Sequence, residues 1–147
     1  MRLAALVLLA VGLSSVANAQ EPQAWSAAEI ARLMSALPDR PPTNREFLTE
    51  SHYAMKVARV ENRNGPVEVH RTEDRVFVVL HGSATLRVGG MPIAPRETGT
   101  GELQAAESRG YREVATSPGA VLSVPRGVPY QIVSVGSKVE FLVVRVF

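Results

Sequence analysis

The chain has 147 residues, 16 of them Lys or Arg and 14 Asp or Glu, so its formal charge of +2 is the difference of two nearly equal numbers. That balance, with no basic stripe, points away from nucleic acid and anionic membrane surfaces as partners. Cysteine is absent, which excludes thiol catalysis, Cys-ligated zinc and disulfides, and leaves stability to a hydrophobic core.

The first 19 residues, MRLAALVLLAVGLSSVANA, combine an early Arg2, an apolar stretch from Leu3 to Leu13 and a small-x-small ending at Ala17-Asn18-Ala19. This reads as a secretory signal peptide, and the apolar stretch is short for a membrane span. Cleavage after Ala19 would release a periplasmic or secreted chain of 128 residues starting at Gln20, with no membrane attachment.

Residues 20–49 read as an N-terminal helix followed by a Pro-rich linker. Ser26 and Glu29 have capping-box spacing, and Trp25 and Ile30 stand at the positions of a hydrophobic staple. Ile30, Leu33, Met34 and Leu37 then form one apolar face, and Pro38 closes the helix. Pro38-Asp39-Arg40-Pro41-Pro42 is a stiff connector.

From residue 50 the pattern changes to short apolar segments separated by Gly, Pro, Asn and Ser. Strands are expected at His52–Val60, Val67–His70, Arg75–Leu80, Ser83–Val88, Val121–Val124, Tyr130–Val135 and Val139–Phe147, with Arg75–Leu80 and Ser83–Val88 joined as a hairpin at His81-Gly82. Such a series predicts an all-β sandwich or barrel. Met91–Pro118 is polar and rich in Gly, Ala and Glu, and reads as a long loop over one barrel end, strand-like only at Tyr111–Ala115. The apolar Val139–Phe147 strand would be an edge liability if unpaired, which suggests a homodimer.

Two segments carry a family resemblance. Gly65, Glu68-x-His70, Asp74-Arg75 and Val76-Phe77-Val78-Val79-Leu80-x-Gly82 resemble the first cupin motif. Pro118–Gln131, with Gly119, Pro125 and Gly127 in the expected spacing, resembles the second. The resemblance spans residues 50–147 and implies a double-stranded β-helix, a jelly-roll barrel whose alternate strand residues line an interior pocket.

The resemblance also implies a divalent metal (Mn, Fe, Ni, Cu or Zn) held by three histidines and a glutamate. In this sequence the glutamate position carries Arg75 and the motif-two histidine position carries Tyr130. The two motif-one histidine positions fall on Glu68 and His70, or in a shifted register on His70 and Thr72. His70 is thus the one imidazole at a ligand position.

Four readings follow. Glu68, His70, Arg75 and Tyr130 could bind a small polar or acidic molecule, with metal binding weak or lost. Glu68, His70 and Asp74 could instead form a reduced metal site in an oxygenase, isomerase or lyase. His70 as base and Tyr130 as acid could act without metal. Last, the barrel could be filled and purely structural. Arg75 could equally pair with Glu73 or Asp74 at the surface. No Ser-His-Asp arrangement or Walker loop is present, and Gly99-Thr100-Gly101 is too short for a dinucleotide signal.

Overall fold

A computed structural model describes residues 22–40, 43–134 and 136–147. The expected signal peptide, residues 1–19, lies outside the described residues, as do Pro41, Pro42 and Val135.

The helix α1 (Ala27–Ser35) starts as its capping box predicts. The Glu29 N–H donates to Ser26 Oγ at 3.3 Å, and the Ser26 N–H donates to Glu29 Oε2 at 2.7 Å. Trp25 meets Phe47 edge to face, with ring centroids 5.2 Å apart. Met34 and Leu37 pack with Val57 in a small apolar cluster.

The strands are β1 (Asn44–Thr49), β2 (Tyr53–Glu61), β3 (Val67–His70), β4 (Asp74–Gly82), β5 (Ala84–Val88), β6 (Met91–Pro92), β7 (Arg96–Gly99), β8 (Glu102–Ala105), β9 (Ser108–Arg109), β10 (Arg112–Thr116), β11 (Val121–Val124), β12 (Tyr130–Val133) and β13 (Lys138–Val146). One sheet has the order β1-β2-β13-β4-β11 and the other β10-β5-β12-β3-β8-β7; β6 and β9 form a small ribbon. The main core includes Phe77, Val79, Leu86, Tyr130, Phe141 and Val143. These residues alternate along strands of both sheets, so the two inner faces meet as a jelly roll.

Four expectations change. The linker gives way at Asn44 to β1, an edge strand paired with β2, so sheet structure begins before residue 50. The 91–118 stretch is mostly strands: β8 pairs with β3, and β7 folds back on β8 through Thr100-Gly101. All four β7 residues are exposed. A strand with neither face buried has no apolar alternation to reveal it.

The β4 and β5 strands do not form a hairpin ladder, because they belong to different sheets. His81-Gly82 is the corner between them. Gly82 has φ +74°, and a Cβ there would stand 1.8 Å from the Lys138 carbonyl oxygen, so this corner needs glycine. Finally, β13 is central, paired with β2 on one side and β4 on the other. The edge argument for a dimer therefore loses its basis.

Candidate functional site

One end of the barrel interior is apolar and the other is ionic. Period-two alternation on β4 places Arg75 on the same face as Phe77 and Val79, and Arg75 is buried with them. On β3, Glu68 and His70 share a face, and Glu68 lies directly opposite Tyr130 of β12. His70, Glu73, Arg75 and Tyr130 are all buried, while the Glu68 and Glu102 side chains keep 28% and 40% exposure and form the solvent-facing rim.

Tyr130 is the hub. Its hydroxyl donates to Glu68 Oε2, accepts from Arg75 Nη1 at 2.9 Å and lies 3.2 Å from His70 Nε2. Because its one proton goes to Glu68, the short contact with His70 needs Nε2–H as donor. Burial acts to raise the Glu68 carboxyl. Hydrogen bonds with His70 and Tyr130 and the charge of Arg75 outweigh it and hold the pKa at about 2. Tyr130 is pushed well above its ordinary value, first by burial and then by the Glu68 charge.

Arg75 turns its other edge to Glu73, with Nε–Oε1 at 2.7 Å and Nη2–Oε1 at 2.6 Å. Glu73 uses its second oxygen for Arg145, 2.9 Å from Nε and 2.7 Å from Nη2. Arg145 reaches on to Glu46 at 2.7 Å. A continuous ionic chain thus runs from Glu68 to Glu46.

The structure brings Glu68, His70, Arg75 and Tyr130 together. It does not bring in Asp74, which corrects the expected Glu68, His70 and Asp74 metal set. Asp74 alternates to the other face of β4. There it accepts from the Arg126 backbone N–H at 2.7 Å and pairs with its guanidinium at 3.0 Å. Arg75 does pair with Glu73, but in the interior and not at the surface.

Sequence reading passed over Arg145, Glu102 and Lys56. A signal was available. Arg145 shares its β13 face with Phe141 and Val143, and Lys56 shares its β2 face with Ala54 and Ala58. A charge at an inward position of a barrel strand marks a polar interior.

One atom is unsatisfied. His70 Nδ1 is the only buried side-chain nitrogen or oxygen without a hydrogen-bond partner among the described residues. It faces Glu102 Oε1 at 3.4 Å and Glu73 Oε1 at 3.8 Å.

Solved structures with this fold are distant in sequence. The Schizosaccharomyces pombe Cnp3 cupin domain superposes with TM-score 0.57 at 15% identity, over 77% of this chain and 66% of that one. TT1209 from Thermus thermophilus gives 0.55 at 19%, over 80% and 92%. The DMSP lyase DddQ from Ruegeria pomeroyi DSS-3 gives 0.53 at 14%, over 71% of this chain and 46% of that one. The chain therefore spans less than half of the lyase and about two-thirds of the Cnp3 chain. No protein-family model matches the sequence, and no curated protein sequence matches it.

The chain has the jelly-roll fold of these structures, the Cnp3 cupin domain among them. A Tyr-Glu-His-Arg cluster stands at the positions where the sequence resemblance implies metal ligands. This cluster does not fit a divalent cation. Glu73 is neutralised by two guanidiniums, Glu68 is bound to Tyr130, and Arg75 stands where a carboxylate ligand would be needed.

Proposed function

We propose that this protein is an exported cupin whose ionic barrel end binds a small polar molecule without a metal. The observation that supports this reading is the pair of partly exposed carboxylates, Glu68 and Glu102, beside buried His70. The Glu68 and Glu102 carboxylates flank His70 at the rim, each 3.4 Å from one of its ring nitrogens. Two carboxylates at a solvent-facing rim suit a ligand that brings donors, such as a hydroxyl or an ammonium group. Arg75 has its donors on Glu73 and Tyr130, so a carboxylate ligand is the weaker candidate.

Thermal-shift titration of the purified protein with polyols, amines and simple carboxylates tests this. Hydroxyl- or amine-bearing compounds should raise the Tm, and His70→Ala and Glu102→Gln should remove the effect. Stabilisation by carboxylates alone would overturn the reading. The export proposal is tested by the amino terminus of protein recovered from outside the cytoplasm, expected at Gln20.

A further inference from the structure

The chain contains fourteen arginines and two lysines, Lys56 and Lys138. Where this fold needs a fixed positive charge it uses arginine, as at Arg75 and Arg145. Lysine differs in one respect that matters chemically: its amine can lose a proton and become a nucleophile, whereas a guanidinium does not. Lys138 is ordinary, with a side chain 50% exposed and 3.7 Å from Glu140. Lys56 is not.

Lys56 lies on the inward face of β2. Its cross-strand neighbour on β13 is Val143, and Val143 in turn lies opposite Phe77 of β4. The next row holds Ala54, Arg145 and Arg75, and the row on the other side holds Ala58 and Phe141. Lys56 thus stands at the boundary between the ionic end and the apolar floor. The small side chains of Ala54 and Ala58 flank it on its own strand.

The Lys56 side-chain amine has no hydrogen bond or ion pair among the described residues. Since His70 Nδ1 is the only buried unpartnered polar atom among them, the Lys56 amine retains contact with solvent.

We propose that Lys56 is a reactive amine that captures a small hydroxy-aldehyde as an imine at the ionic end of the barrel. This rests on the reading of that end as a ligand site, with the hydroxyl meeting the rim carboxylate of Glu102. The free amine nitrogen attacks the carbonyl carbon to give a carbinolamine. The carbinolamine oxygen then takes a proton from solvent and leaves as water while the nitrogen gives up its proton, leaving C=N. No oxidant or reductant is consumed, and hydrolysis reverses the step. Five charged groups act on the amine: Arg75 from β4, Glu68 from β3, Arg145 from β13, Glu46 from β1 and Glu73. Burial first, then the Arg75 charge, lowers the Lys56 pKa against the pull of Glu68 and Glu73. Desolvation beside another cation is the usual means of activating a lysine nucleophile.

The test treats the whole protein with glycolaldehyde and sodium cyanoborohydride at neutral pH, which fixes any imine as a hydroxyethyl amine. Peptide mass spectrometry then follows both lysines, with exposed Lys138 as internal reference. Lys56 should be modified several-fold faster than Lys138 despite its lower exposure, and the advantage should shrink at high pH, where both amines are free. Lys56→Arg, with its fold checked by circular dichroism, should leave only slow Lys138 modification. Equal or faster modification of Lys138 at all pH values would overturn the proposal. If polyols still shift the Tm in that case, the imine alone is lost; if they do not, the ligand site is lost with it.

Discussion

Arg75 and Arg145 stand directly opposite each other on β4 and β13, and the Glu73 carboxylate lies between them with one oxygen on each guanidinium. Two like charges in register across a ladder repel. Here the pairing is held by a buried anion from the residue that precedes β4.

Removing that anion should be costly. Glu73→Gln keeps the shape but leaves buried Arg75 facing Arg145, and breaking a buried pair costs about 3–5 kcal/mol. Glu46→Gln at the half-exposed far end of the same chain should cost less than about 1 kcal/mol. Urea unfolding of both variants measures the contrast, and equal losses would mean that the network is not anchored at Glu73.

Stability should fall in acid. Glu68 is held near 2 in the folded protein against an ordinary 4.5, and Glu73 is lowered as well. A depressed carboxyl contributes stability that is fully present above about 4.5 and is lost as pH drops through the folded value. The urea midpoint should therefore decline from about pH 4.5 toward pH 2. In Glu68→Gln the decline should be shallower, and an unchanged slope would refute the assignment.

Gly82 and Gly89 both have positive φ, but only Gly82 is also sterically closed. Gly89→Ala meets open space, so backbone strain alone applies, about 1 kcal/mol. Gly82→Ala drives a methyl into the Lys138 carbonyl and should lower the yield of folded protein or the Tm far more. Comparable Tm values for the two would argue against the corner between the sheets.

Metal content separates the readings of the site. Plasma mass spectrometry of untagged protein after incubation with Mn, Fe, Ni, Cu or Zn should find no stoichiometric ion, and Asp74→Asn should change nothing. A stoichiometric metal lost in His70→Ala would sink the metal-free reading.

Much of the fold was legible in the chain itself. The capping box at Ser26 and Glu29, the strand alternation and the glycines at 82, 119 and 127 act locally, through backbone geometry and period. Glu68, His70, Arg75 and Tyr130 were legible as a site because two spaced motifs pointed to them. Tertiary structure alone decided what the site became. Whether Arg75 was a surface charge, and whether Asp74 or Glu73 was the interior carboxylate, depends on which face of β4 is buried. Arg145, Glu102 and Lys56 come from β13, β8 and β2, so no local spacing relates them to His70. An ionic interior is a property of side chains that converge from distant strands, and only the closed barrel brings them together.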